Sequence, residues 1–433
     1  MYPSLDRPSG KAGEPSAKEA IHRLTRHLSE DRISRFFLSM QKRFAGLHMK
    51  DLVAQEMDDQ RRIRFGNHTV TNFGSDSFLG LDRDRRVQEA IARGLKTWGT
   101  HNGSARGFYS VEACAETERR LARWLGVEDT LVFPSVTLAN LGALPAVTAR
   151  EDLLIVDALA HDSVQEAAKI SAQNGAHLKL VSPCTVEGVR SILESCEYQS
   201  CLLAVDGVYS MTGTTIPLRA LDELVRANRG LLYIDDAHGT GVVGERGTGV
   251  ARRELGHLDG VLAVGSLSKA FSCMGAFITC TAELKFLLKI RSRTYVFGGP
   301  IAPPYLEATC TVCDILESPE YDVLIGRLRS LVSRLRHGAG SLGYTVLGED
   351  APIVSLLIGD FDRTLRAGKR LFERGYYVQS VLYPAVPINH GVLRIQVNAN
   401  HAPEAVDGLL NALGDMKKDL LKEIRPTAPD QTS

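Results

Sequence analysis

The sequence predicts an α/β protein: a mainly parallel central sheet with helices on both faces, a smaller C-terminal α+β domain and an N-terminal helical arm. Three observations predict it. Short, continuously apolar runs recur through the middle of the chain, separated by stretches of helical periodicity, and strands buried on both faces read this way. Two of these runs end in polar residues able to carry chemistry, and ligands of open α/β sheets sit beyond the carboxyl ends of the strands. At 433 residues the chain is too long for one small core, so two or three domains are expected.

Residues 1–20 carry Pro, Gly, Ser, Lys and Glu with few apolar side chains, a composition for a disordered tail. From Ala20 to Arg62, Ile21, Leu24, Leu28, Ile33, Phe36, Phe37 and Met40 recur at helical spacing, with a break near Gly46. Tail and helical arm together occupy 1–84. The large domain, 85–300, offers the strands Thr130–Phe133, Leu153–Val156, Leu178–Val181, Leu202–Val205, Leu231–Ile234, Val261–Val264 and Phe277–Cys280. After Pro300 comes a helical region to about Leu342, then Ile353–Leu357, a helix near Leu365–Arg374, Tyr377–Val381, Val392–Val397 and a last helix to about Leu421. This mixture makes 301–425 the α+β domain, and 426–433 reads as a disordered tail.

Lys+Arg and Asp+Glu both number 51, so no global field recruits nucleic acid or an anionic membrane. No apolar segment approaches the ~20 residues that span a bilayer, and Met1-Tyr2-Pro3-Ser4 lacks a signal-peptide pattern; the expected location is the cytoplasm. Eight scattered cysteines read as reduced thiols. Cys310-Thr311-Val312-Cys313 has no second Cys or His pair to complete a zinc site, so both are expected to pack on a helix, and no metal is expected.

The chemistry concentrates at two strand ends. Ser266-Leu267-Ser268-Lys269 follows Val261–Gly265 and precedes Ala270-Phe271, which leaves Lys269 in an apolar setting where an amine can lose its proton and condense with a carbonyl. Leu231–Ile234 delivers Asp235-Asp236-Ala237-His238-Gly239. A carboxylate there can keep a heteroaromatic nitrogen protonated, and this pairing suits pyridoxal 5'-phosphate (PLP). Asp235 takes the ring nitrogen, although a helix cap is its ordinary alternative, and His238 can donate to the phenolate oxygen. His161, after Leu153–Val156, either stacks on the ring or caps a helix. Ser135-Val136-Thr137 opens a helix whose free N–H groups suit phosphate, and Ser266 and Ser268 add hydroxyls.

Gly265–Phe277 and Asp235–Glu245, with Asp206–Gly213, Tyr383–Pro387 and Leu393–Ile395, resemble the α-oxoamine synthases. These are fold-type I PLP enzymes that include serine palmitoyltransferase, 8-amino-7-oxononanoate synthase, 5-aminolevulinate synthase and 2-amino-3-ketobutyrate CoA ligase. The resemblance covers about 70–423. It implies that Lys269 links PLP, Asp235 meets its ring nitrogen, His238 its phenolate oxygen, His161 its face, and Ser210 and Ser266 the cofactor site, while Arg394 holds a substrate carboxylate. It also implies an α-amino acid and an acyl thioester, delivered by CoA or a carrier protein, as substrates, and a homodimer with shared sites.

The chain departs from the family pattern at several positions. Ser135-Val136-Thr137 replaces Ser-Gly-aromatic, Cys114 aligns with a substrate-channel histidine, Phe297–Pro300 lacks a hydroxyl, and Ser77–Leu81 replaces Asn-Tyr-Leu-Gly-Leu. Ser77 and Cys114 thus become candidate substrate contacts, and Arg106–Tyr109 looks most like serine palmitoyltransferase. Two other readings stay open: an aminotransferase or another fold-type I enzyme, and a non-catalytic subunit of a palmitoyltransferase-like complex.

Overall fold

The computed structural model describes residues 17–43, 52–101, 103–349 and 351–424. Of the two expected disordered tails, residues 1–16 and 426–433 lie outside these; residues 17–20 are helical instead. The chain divides into a unit at 1–54 and a second at 55–433. The first holds two helices, Ala17–Glu30 and Arg32–Arg43. Ile21, Leu24 and Leu28 form the apolar stripe of the first helix and remain exposed.

The second unit is built on a seven-stranded sheet: β1 (Asp129–Phe133), β2 (Leu153–Asp157), β3 (His177–Val181), β4 (Cys201–Asp206), β5 (Gly230–Asp235), β6 (Val261–Ser266) and β7 (Ala276–Cys280). Their order is β1-β7-β6-β5-β4-β2-β3. Only β7 is antiparallel to its neighbours. All seven expected strands form. Because side chains alternate across a strand, Ile155, Leu203, Val205, Leu232 and Ile234 enter one apolar core. Leu154, Val156, Leu202, Ala204 and Tyr233 enter the other. Helices Leu218–Ala227 and Val250–Leu255 cover the first face, and helices Val136–Val147 and Asp162–Gln173 the second. The edge strand β3 carries polar His177 and Lys179 outward, which discourages further pairing.

A four-stranded antiparallel sheet follows, ordered Thr345–Leu347, Ile353–Gly359, Gly391–Gln396, Gln379–Val381. Its helices are Glu320–Ser341, Phe361–Glu373 and Pro403–Ile424. The expected strand Tyr377–Val381 is two pieces: Tyr376–Tyr377 pairs in parallel with Thr71 and Asn72, while Gln379–Val381 pairs with Val392–Arg394.

The helical arm expected to continue to Arg62 stops earlier. Glu56–Met57, Arg62–Phe65 and His68–Asn72 are strands of a third sheet. Gly66, at φ +59°, turns the last two into a hairpin. The alternation Arg62-Ile63-Arg64-Phe65 before Gly66-Asn67 is the local signal for it.

Candidate active site

Parallel strands bring their carboxyl ends to one edge. Asp157, Asp206, Asp235 and Ser266 therefore end β2, β4, β5 and β6 on the same side, and Phe133, which leads into Ser135, ends β1 there too. Lys269 lies in the loop between β6 and β7, which closes through Leu267 N–H to Gly275 O (2.9 Å). Ser272 N–H donates to the Lys269 carbonyl at 2.8 Å. Ser272 is at φ +55°, a conformation that a non-glycine residue adopts at a cost. The half-buried Lys269 amine has its pKa lowered by desolvation, against the opposing fields of Asp235 and Asp76. Burial thus favours the neutral, nucleophilic form.

The Asp235 carboxylate accepts from Asn140 Nδ2 at 2.7 Å and from the Ala237 N–H at 3.2 Å. Neither this carboxylate nor its neighbour stands at a helix N-cap: Asp236 Oδ2 accepts from Ala251 N–H at 3.0 Å, inside a helix whose N-cap is Gly249. A Cβ on Gly207, Gly239 or Gly249 would overlap the Asp236 carboxyl.

His238 is buried, and burial first, then the charge of Lys269, pushes its pKa well below the ordinary histidine range. Its Nε2 faces Arg394 Nη2 at 3.4 Å. Arginine only donates, so Nδ1 carries the proton of the neutral ring. His161 is exposed, and its Nδ1 accepts from the Ser163 N–H at 3.2 Å. It caps helix Asp162–Gln173 while leaving the ring face open.

Arg394 projects from strand Gly391–Gln396 into this cluster. Its Nε donates to the Ser210 carbonyl (2.5 Å), Nη1 to Gln379 Oε1 (2.7 Å) and Nη2 to Asp76 Oδ1 (3.3 Å). Gln396 Nε2 also donates to Asp76. Asp76 stands at the rim, with its side chain 38% exposed against 5% for Arg394. Sequence reasoning missed both Asp76 and Asn140; Asp76 sits in the featureless run Gly74-Ser75-Asp76-Ser77.

Ser135 caps helix Val136–Val147 by accepting from Leu138 N–H at 3.2 Å. The Val136 and Thr137 N–H groups precede that capped donor at the helix start. Ser266 Oγ is buried, accepts from Ser268 N–H at 3.1 Å and lies 3.0 Å from Ser268 Oγ. Ser77 Oγ donates to Asp82 at 2.6 Å and meets Ser272 Oγ, which braces the Lys269 turn from behind. Cys114 lies in the apolar core with its thiol pKa raised by desolvation. Its strongest electrostatic neighbours are Arg106 and Glu118, themselves a buried pair at 2.9 Å. Cys310 and Cys313 are on helix Pro303–Glu317, and all eight cysteines are free.

These residues fit PLP. A desolvated amine, a strand-end carboxylate, an open imidazole face and a helix N-terminus match an aldehyde, a pyridine nitrogen, a flat ring and a phosphate respectively. No group of His, Cys, Asp and Glu able to hold a metal ion occurs among the described residues. No helix among them is long and apolar enough to cross a membrane.

Comparison with known proteins agrees with this geometry. The model of aminotransferase class I and II matches residues 68–413. The 8-amino-7-oxononanoate synthase of Methylococcus capsulatus is 35% identical over 84% of this chain and 93% of its own. That of Alkalilimnicola ehrlichii is 32% identical over 91% and 98%. Among solved structures, serine palmitoyltransferase of Sphingomonas wittichii superposes with a TM-score of 0.83 at 24% identity, covering 90% of this chain and 98% of that one. The S. paucimobilis enzyme, solved with PLP and myriocin, gives 0.83 at 22%, covering 90% and 100%. The chain belongs to the aminotransferase class I and II family and, within it, to the α-oxoamine synthases, PLP-dependent enzymes that condense an amino acid with an acyl thioester.

Proposed function

We propose that the cluster around Lys269 binds PLP and one α-amino acid, and joins that amino acid to an acyl thioester with loss of carbon dioxide. The observation that carries this reading is the half-buried amine of Lys269, its pKa lowered by desolvation, in the fields of Asp235 and Arg394. Lys269 links the cofactor, Asp235 meets its ring nitrogen, His161 covers its face, and the start of helix Val136–Val147 with Ser266 receives its phosphate. Bound PLP supplies an electron sink for negative charge at the substrate's α-carbon.

Lys269, once displaced by the amino acid, takes the α-proton, since desolvation favours the neutral, basic form of its amine. Arg394 orients the substrate carboxylate. Three of its nitrogens already donate within the protein, and Asp76, at the solvent rim, is the partner that yields to the incoming carboxylate. The α-carbon then bonds to the acyl carbon and thiol leaves with a proton. The former carboxylate departs as carbon dioxide and a proton from solvent takes its place at the α-carbon, leaving an α-amino ketone. His238, neutral and with Nδ1–H, neighbours both Lys269 and Arg394 without adding a second positive charge. We place the enzyme in the cytoplasm as a homodimer with shared sites.

The test is PLP-loaded protein given a panel of amino acids with and without an acyl-CoA. Free thiol and carbon dioxide are expected in equal amounts, and only when both substrates are present. Keto-acid release without thioester would replace this reading with transamination.

A further inference from the structure

The carboxylate assigned to the cofactor's ring nitrogen and the imidazole assigned to its face are joined through one buried amide. Asn140 lies on helix Val136–Val147 and is fully buried. Its Nδ2 donates to Asp235 Oδ2 at 2.7 Å and to Ser163 Oγ at 2.9 Å. Its Oδ1 accepts from Tyr233 Oη at 2.9 Å. Tyr233 and Asp235 are two apart on β5 and so share the sheet face on which this helix packs. The carboxylate only accepts, so the amide nitrogen faces Asp235 and the amide oxygen is left to accept from the Tyr233 hydroxyl.

The chain of bonds continues to His161. Ser163 Oγ accepts from Asn140 and lies 2.8 Å from His161 Nδ1. The Ser163 N–H donates to the same nitrogen. Nδ1 is therefore an acceptor, the Ser163 hydroxyl points its proton at it, and the neutral imidazole carries its own proton on Nε2.

We infer that Asn140 is a positioning residue: its amide holds the Asp235 carboxylate turned toward the ring nitrogen and, through Ser163, fixes the tautomer and plane of the His161 ring. This rests on the reading that Asp235 meets the PLP ring nitrogen. Without the Asn140 donor the Asp235 carboxylate is free to turn, and the ring nitrogen would lose the acceptor that holds its proton. Buried polar networks of this kind hold geometry only when each member is satisfied.

The experiment is nitrogen-15 NMR of the holoprotein loaded with ring-labelled PLP, together with PLP affinity and thermal unfolding. Wild type is expected to show a protonated ring nitrogen. Asn140→Ala is expected to move the resonance toward the unprotonated position. Ser163→Ala should leave the resonance in place and weaken PLP binding about fivefold, the effect of one lost hydrogen bond.

Thr279→Val is the structural control: Thr279 Oγ1 accepts from Ala263 N–H at 2.9 Å and donates to Val261 O at 3.1 Å, in a buried network remote from the site. It should lower the unfolding temperature without moving the resonance. If Asn140→Ala does not fold, Tyr233→Phe, which removes the donor that anchors the amide oxygen, should shift the resonance the same way by less. A protonated ring in wild type and in every Asn140 and Tyr233 variant that folds overturns this inference alone. A wild type that takes up no PLP, or holds it unprotonated, overturns the parent reading and this one with it.

Discussion

Asp235 and Asp236 are adjacent in sequence and serve opposite faces of the sheet. Asp235 follows Tyr233 toward Asn140. Asp236 turns to the other side and accepts from the Ala251 N–H in the first turn of helix Val250–Leu255. Burial pushes the Asp236 pKa up to about 7, against the N–H groups of Ala251 and Val250 that lower it. Its Oδ1 has no hydrogen-bond partner, as suits an acid that keeps its proton. The unfolded chain releases that proton near 3.8, so the folded state binds more protons between these values and stability falls as pH rises from about 4 to 7. Asp236→Asn should remove this contribution. In urea denaturation near pH 5 and near pH 8, wild type should lose more stability over the interval than the variant; equal losses would contradict the assignment. At this scale Lys269, Asp235 and His238 were legible because they end or follow apolar runs. Asn140 was not, since a lone amide among small helical residues gives no hint of what it faces across the sheet. Cys114 was selected by alignment alone, and burial places it in the core.

Helix Val136–Val147 runs from the start proposed to receive the phosphate to Asn140, so that start carries two separable effects. Ser135→Ala should lower stability by about 1 kcal/mol through loss of the cap and also weaken PLP binding. Ser135→Asp caps equally well but repels a phosphate dianion, so it should restore stability while weakening PLP further. Denaturation and PLP titration of both variants check this; recovery of PLP affinity with Ser135→Asp would show that the helix start does not face the phosphate. The central strands could be read because they are buried on both faces. Glu56–Asn72 was missed: the alternation at Arg62–Phe65 is only four residues long, and the hairpin gains its partner, Tyr376–Tyr377, from some 300 residues away. The same long-range pairing divides Tyr376–Val381 between two sheets, which a local pattern does not encode.

For the whole molecule, the order β1-β7-β6-β5-β4-β2-β3 gathers residues from 135 to 269 at one edge, and the C-terminal sheet adds Arg394 from the far side. Cofactor chemistry was legible in the sequence because it depends on strand ends. The pairing of Asp76 with Arg394 was not, because it depends on how that second sheet meets the first. The curated relatives are 8-amino-7-oxononanoate synthases, while the solved neighbours are serine palmitoyltransferases below 25% identity; what these have in common is the cofactor-binding fold. The central claim is that Lys269 is the amine that joins PLP. Borohydride reduction of the PLP-loaded protein, followed by peptide mapping, tests it most directly. A single pyridoxyl label on Lys269, with loss of visible absorbance in Lys269→Ala, is the predicted result; a label on another lysine, or one spread over surface lysines, would contradict it.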